Sequence, residues 1–254
     1  MVPNVNDKSV SSLSRMLSVL DLFTETHSVW SAEAMAQALD VSVPTTYRYV
    51  KLLVDAGLLQ RLAESQFSLG PRIITLDHFM RVSDPVLQHA MAFMQELVDK
   101  TGFDCVLTGL YGNQVIDTHR VYSSNPAELH YGRGRPRPLF LGGAPKVMLA
   151  NLGPHALHKL FDQHSAEIAQ ANLPNAWPEF RKFFSAIRKT GYYFSNGELE
   201  PHLAALAAVL QKTDGSVLGA LSLVAPVQRM SVIDLPKLAE LVMRAAHDIS
   251  VRVS

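Results

Sequence analysis

The chain has 254 residues, 48% of them hydrophobic, and its 23 basic and 23 acidic side chains cancel to a formal net charge of zero. That length suits two domains with proper cores, at roughly 100–200 residues each, and no apolar run approaches the ~20 residues of a membrane helix. Cys105 is the only cysteine, which excludes an intrachain disulfide or a cysteine zinc site, and MVPNVNDKSV at the start lacks the charged and apolar regions of a secretory leader, so a cytoplasmic address is expected.

In chain order, SLSRMLSVLDLF predicts a first helix with Leu13, Met16, Leu17, Leu20 and Phe23 at helical spacing. SAEAMAQALDV predicts a second, with Ser31 as its cap and Glu33 in its first turn. After the short link Asp40 to Val43 comes the most informative stretch, SVPTTYRYVKLLVDAG at 42–57. Ser42 is a good N-cap, and Pro44 falls in the first turn, where its missing N–H costs nothing. Val43, Tyr47, Val50 and Val54 predict one buried stripe, with Thr45, Arg48 and Tyr49 on the free face and Thr46 at its flank. Gly57 ends this helix, and LLQRLAESQFSL reads as two strands around a polar turn.

Three helices with a tight second link, then a hairpin, make a winged helix-turn-helix over residues 9–70. Hydroxyls and a guanidinium at the start of the third helix suit the major groove. The candidate DNA contacts are Arg15, Ser42, Thr45, Thr46, Tyr47 and Arg48, with Tyr47 also claimed by the core stripe. Residues 1–70 carry five basic against seven acidic groups, so the usual basic footprint of a DNA binder is missing. Affinity then has to come from a few placed cations, amide N–H groups and the use of two copies.

PRIITLDHFMRVSD predicts a linker helix over 71–83 with Ile73, Ile74, Leu76 and Met80 on one side. A second domain is expected over 84–254, opened by the helix PVLQHAMAFMQELVDKTG. DCVLTGLYG and NQVIDTHRVY read as strands joined at Gly112-Asn113, followed by a third in AELHYG. Helices follow at 143–152, 154–170 and 177–190, and then the strands YYFSNGEL, AALAAVLQ and VLGALSLVA, with an Asp214-Gly215 hairpin. SVIDLPKLAELVMRAAHDISVRV closes the chain as a helix. The fold class is α+β, with an antiparallel sheet flanked by helices.

Several separated motifs together resemble the IclR family of bacterial transcription regulators, over nearly the whole chain. They are TTYRYVKLLVDAGLL, the wing ending FSLGPRIITL, RPRPLFLGGAPKVMLA at 135–150, GYYFSNGEL at 191–199, AALAAVL at 204–210 and DGSVLGALSLVAP with Arg229. The resemblance implies a winged helix-turn-helix, a linker helix and a GAF-like or profilin-like effector-binding domain. It also implies a homodimer or homotetramer that senses a small organic acid and controls nearby catabolic genes, with no cofactor. Gly143 and Ala144 match a glycine–alanine step that lays a ligand against backbone amides, and Ser222 matches a hydroxyl on a late strand. Ser195 stands where an acidic residue can occur, Ala205 where a cysteine is common, and Val224 where a second serine can occur. His202 and Pro145 each replace a usual glycine. The implied effector site is therefore Gly143, Ala144, Ser195, His202, Ala205, Ser222 and Val224: an apolar pocket with an added imidazole.

GRGRPRP at 132–138 resembles an AT-hook core but lacks flanking basic runs, so Arg133 and Arg135 are read as effector or subunit contacts suited to a carboxylate. The ten histidines are scattered without a His-Glu-x-x-His pattern, which predicts no metal site. Neither a phosphate loop nor a Gly-x-Ser-x-Gly elbow is present. The reading is a ligand-responsive operator-binding protein, not an enzyme, with repression favoured and an aromatic acid foremost among effectors. The alternative is a small-molecule-binding enzyme or carrier whose N-terminal helices serve as an interaction module.

Overall fold

Each of the first three helices is started by a serine hydroxyl. Ser11 Oγ accepts from the Ser14 amide at 3.2 Å ahead of α1 (Ser12–Leu17). After a two-residue strand β1 (Trp30–Ser31), Ser31 does the same for Ala34 at 3.2 Å in α2 (Ala32–Leu39), and Ser42 for Thr45 at 3.4 Å in α3 (Val43–Asp55). Such caps are worth about 1 kcal/mol each. In this computed structural model residues 11–253 are described. The reading of the first ten residues, including positions 9 and 10 of the expected DNA-binding domain, lies outside them.

The buried stripe of α3 differs from the expected one. Thr46, Tyr49, Val50 and Leu53 face the core, while Val43 and Tyr47 are exposed. Thr46 can be buried because its hydroxyl donates to the Ser42 carbonyl at 3.3 Å, leaving no orphaned polar atom. The first helix is also shorter than its apolar spacing suggests. It stops at Leu17, a single 3₁₀ turn follows at Leu20–Leu22, and Val19 takes the central core place while Leu13 and Leu17 are exposed. Val19, Met35, Leu39, Val50, Leu53, Leu59 and Phe67 form one small core.

The wing consists of β2 (Leu59–Arg61) and β3 (Gln66–Leu69), antiparallel, with Leu59 opposite Leu69. β1 joins the outer side of β3, Trp30 opposite Phe67, to give the order β1-β3-β2. Two left-handed residues, Glu64 and Ser65, turn the wing tip. Gly57, at φ +73°, and Gly70 meet where the wing returns to the end of α3. The Gly70 amide donates to the Leu58 carbonyl at 2.8 Å, and a side chain at Gly70 would overlap the Gly57 carbonyl. α4 (Arg72–Ser83) starts at that crossing and buries none of its residues. Ile74 is 74% exposed and Phe79 60%.

A second compact unit begins at Asp84. Asp84 caps α5 (Pro85–Thr101), which ends on the left-handed Gly102. β4 (Asp104–Tyr111) and β5 (Gln114–Val121) form the Gly112-Asn113 hairpin. The expected strand at AELHYG is absent; a loop covers it, and the short β6 (Pro136–Arg137) pairs with β5 instead. Next come α6 (Gly143–Ala150), α7 (Pro154–Gln163), α8 (Ser165–Gln170) and α9 (Trp177–Thr190). The helix expected over 154–170 is thus broken at His164. β7 (Tyr192–Asn196), β8 (Leu203–Gln211), β9 (Val217–Pro226), α10 (Val227–Met230) and α11 (Leu235–Val253) complete the chain. The closing helix starts four residues later than its sequence pattern implies.

The sheet is antiparallel in the order β6-β5-β4-β9-β8-β7. Alternate residues divide between two cores. Cys105, Leu107, Leu206, Leu221 and Leu223 pack with Met94, Leu97, Val242 and Ile249 of α5 and α11. Val115, Ala207 and Ala220 pack on the other face with Val147, Phe180 and Phe184 of α6 and α9. Small residues on that second face let α6 approach the sheet closely, which sets up the recess described next.

Candidate effector recess and nucleic-acid interface

The start of α3 presents Ser42 and Arg48 to solvent, with Thr45 half-buried and its hydroxyl 2.8 Å from that of Ser42. Tyr47 is 42% exposed and its phenol donates to Glu33 Oε1 of α2 at 2.8 Å. That bond holds the Glu33 carboxyl below its ordinary range and pushes the Tyr47 phenol up. Thr46, expected among the DNA contacts, is fully buried and bonded to Ser42, so its side chain cannot reach a base. Tyr49, expected on the free face, is buried too, with the Arg48 guanidinium 5.7 Å from its ring centre. Arg15 is half-buried on α1.

In the second unit, an open recess lies between the start of α6 and the β7–β9 face. It brings together six of the seven expected effector residues: Gly143, Ala144, Ser195, Ala205, Ser222 and Val224. Gly143 is needed for this approach, because a Cβ there would sit 3.0 Å from the Ala207 methyl. The first helical amides have no intrahelical acceptor and point at the recess end of α6. The preceding Gly142 amide is already used, donating to Glu198 Oε2 at 3.1 Å. Glu198 is held in turn by the buried Lys146 ammonium at 2.6 Å and by the Tyr193 phenol at 2.7 Å. Burial, then the Glu198 carboxylate, pushes that phenol well up.

Polar groups around the recess are unevenly satisfied. Ser222 Oγ is buried and makes no hydrogen bond. Arg137 lines the recess and donates to Asp117 Oδ1 at 3.0 Å, but its buried Nε is unpaired. Asp117 is anchored by the Thr108 hydroxyl at 2.8 Å. Arg137 lies opposite Val115, so its side chain shares the sheet face of Thr108, Asp117 and Ser222. Glu200 also lines the recess and is buried, accepting the His130 amide at 3.0 Å with His130 Nδ1 2.9 Å from its second oxygen.

Two expectations need correction. His202 is half-exposed and does not line the recess; its Nε2 lies 3.3 Å from the Glu128 carbonyl and 3.9 Å from Glu200 Oε2. Arg133 and Arg135 are also not lining residues, since their guanidinium groups donate to the Thr118 and His130 carbonyls. The cation of GRGRPRP that reaches the recess is Arg137, because strand alternation in β6 turns that position inward. Sequence reasoning missed Arg137 and Glu200, and both sit in or beside irregular segments.

The loop after β5 is fixed by a buried clamp. Asp104 accepts the Ser123 and Ala127 amides at 2.7 Å each and the Arg120 guanidinium at 2.5 Å. Burial alone would raise the Asp104 carboxyl, but these donors together hold it below its usual range. Cys105 is fully buried, and that burial pushes its thiol up. Among the described residues, no cluster of three or more His, Cys, Asp or Glu side chains is arranged to hold a metal, and no helix is long and apolar enough to cross a membrane.

The chain matches the family profile for the IclR helix-turn-helix domain over residues 12–63 and that for the bacterial transcriptional regulator IclR C-terminal over residues 79–251. The HTH-type transcriptional regulator XynR of Escherichia coli is 23% identical, covering 95% of this chain and 96% of its own. The transcriptional repressor IclR of the same organism is 22% identical over 95% and 89%. A solved IclR homologue from Microbacterium hydrocarbonoxydans, in complex with 4-hydroxybenzoate, superposes with a TM-score of 0.78 at 22% identity, covering 96% and 99%. An IclR family transcriptional regulator from Brucella abortus superposes at 0.80 with 19% identity, covering 99% and 98%. These relatives are regulators rather than enzymes, and with both domain profiles matched in order, this chain belongs to the IclR family of bacterial transcriptional regulators.

Proposed function

We propose that this regulator is a repressor that holds operator DNA through α3 and releases it when a small organic acid, aromatic in the first instance, enters the recess beside α6. The observation that carries this reading is the unpaired Ser222 hydroxyl, buried in a recess that the start of α6 also lines. A buried polar atom without a partner is a standing cost of about 1–3 kcal/mol unless something binds it. A carboxylate fits that end of the recess, since helix amides and their dipole favour anions. Arg137 adds charge-assisted donors nearby. The 4-hydroxybenzoate held by the Microbacterium homologue supports an aromatic acid, and catabolic genes for such acids are the expected targets.

DNA docking rests on Ser42, Thr45, Tyr47 and Arg48, with Arg15 as a further cation. The domain is net acidic over residues 1–70, so one copy offers few phosphate contacts. A homodimer supplies two recognition helices, and the exposed apolar side chains of α4 are its proposed seam. A homotetramer would pair two such dimers. The test is fluorescence anisotropy on DNA from upstream of the regulator's own gene, titrated with aromatic and aliphatic acids. Ala144→Trp should fill the recess, leaving operator binding near normal while abolishing release. A variant that still responds fully places the sensor elsewhere.

A further inference from the structure

The segment after β5 is fastened at two points of opposite character. Its first part is held by Asp104, 1% exposed, which accepts the Ser123 and Ala127 amides and the Arg120 guanidinium. Its last part is held by Glu200, 6% exposed: Oε1 accepts the His130 amide at 3.0 Å, and Oε2 lies 2.9 Å from His130 Nδ1. Between the two fastenings, Ala127 packs with Val106, Leu203 and Val224, and Leu129 packs against the same cluster, as Ala205 does from β8. Leu129, Leu203, Ala205 and Val224 all line the recess. The segment therefore forms one apolar side of it, and lifting that side would uncover Ala205 and Val224.

The Asp104 fastening is insensitive to pH near neutrality, because its donors hold the carboxyl below its usual range and keep it ionised. The Glu200 fastening runs instead to an imidazole that is 81% exposed, and histidine is the side chain whose charge changes between about pH 5 and 8. A neutral imidazole offers Glu200 one N–H; a protonated one gives that buried carboxylate a cation and a charge-assisted bond. His202 Nε2, 3.9 Å from Glu200 Oε2 and 3.3 Å from the Glu128 carbonyl, adds to the same response. The other charges nearby hold constant backgrounds: Arg135 donates to the His130 carbonyl, Arg137 is paired with Asp117, and Glu198 with Lys146. We infer that residues 123–130 are a strap over the recess, hinged at Asp104 and latched by Glu200 on His130, and that the latch tightens when the imidazole takes up a proton. Entry to the recess is then slower in mild acid than at neutral pH. The inference concerns entry alone and stands whichever molecule the recess takes.

Hydrogen exchange on the full-length protein, read by mass spectrometry and corrected for the intrinsic rate at each pH, tests the latch. Wild-type amides over 128–132 should be about threefold better protected at pH 5.5 than at pH 8, the scale of an ion pair with one partner in solvent. The Ser123 and Ala127 amides should be equally protected at both. Glu200→Gln keeps an acceptor for the His130 amide without the charge, and His130→Asn keeps a donor that does not titrate; each should erase the pH response. His202→Gln should leave most of it. Thiol labelling tests the covering, since Cys105 is buried and Ala205→Cys places a thiol on the recess wall. An uncharged methanethiosulfonate reagent at pH 7 should label Ala205→Cys severalfold faster once Glu200→Gln is added. Equal protection at the two pH values, a pH response that survives Glu200→Gln or vanishes in His202→Gln, or a labelling rate unmoved by Glu200→Gln overturns the inference.

Discussion

Tyr47 of α3 donates its phenolic proton to Glu33 of α2 at 2.8 Å, on the outer surface of the helix-turn-helix. The bond ties the start of α3 to α2, and in the proposed docking it would place a carboxylate close to the phosphate backbone. Glu33→Gln should therefore tighten binding to all DNA sequences alike and leave discrimination between them unchanged. Anisotropy on operator and scrambled duplexes at matched salt checks this, and an unchanged affinity for both would mean that the carboxylate stays clear of the backbone.

Arg48→Ala should weaken every sequence equally and reduce the salt slope by about one. Thr45→Ala should instead relax discrimination, at about 1–3 kcal/mol for a lost base contact. Thr46→Val makes the contrast. Its hydroxyl bonds the Ser42 carbonyl inside the fold, so the variant should lose about 1 kcal/mol of stability with specificity intact. Paired thermal melts and binding isotherms separate the three.

Asp104→Asn should loosen the loop after β5 and cost about 3 kcal/mol, since Arg120 would be left without its buried partner. The wild-type carboxyl is held below its unfolded value, so its contribution is complete above that value and is lost as pH falls through the folded one. Denaturant melts across the acid range should show wild-type stability falling with pH and a flatter profile for the variant.

Ser222→Ala removes a buried hydroxyl that has no partner, so the free protein should be unchanged or gain about 1 kcal/mol in stability. Acid binding should weaken by a similar amount. Arg137→Leu should behave differently, destabilising the fold by about 3 kcal/mol because the buried Asp117 carboxylate keeps the Thr108 hydroxyl but loses its cation. Thermal shifts with and without the bound acid distinguish the two outcomes.

Phe79→Glu in α4 should dissociate the proposed homodimer without unfolding the protomer, since none of α4 is buried within the chain. Light scattering should report a smaller mass, with operator affinity falling in parallel. An unchanged mass would move the seam off this helix.

The parts of the fold with strong periodicity were legible in the sequence. The capped helices, the long strands of the sheet and the Gly143–Ala144 step came from spacing, caps and motif. The face of α3 was misread because Thr46 is polar by composition yet buried by virtue of one local hydrogen bond, and Tyr47 is apolar by size yet held outside by Glu33. β1 and β6 span two residues each, too few for any alternation to register. Arg137 carries no alternation signal for that reason, and nothing in the motif's sequence sets it apart from Arg133 and Arg135. The family resemblance puts His202 in the recess, at a usual glycine just before β8, whereas the chain puts Glu200 there and leaves the imidazole outside.

The contact between Gly57 and Gly70 carries a mechanical consequence. With no side chain between them, the last turn of α3 and the returning arm of the wing are clasped backbone to backbone. Arg72, the first residue of α4, is bonded into the same clasp through the Gly57 carbonyl at 3.2 Å and the Ala56 carbonyl at 3.0 Å. Recognition helix, wing and linker therefore share one pivot. A rotation of α4 about its origin would swing both elements through the same angle, so under the proposed docking an operator would be gripped or dropped as a whole rather than groove by groove.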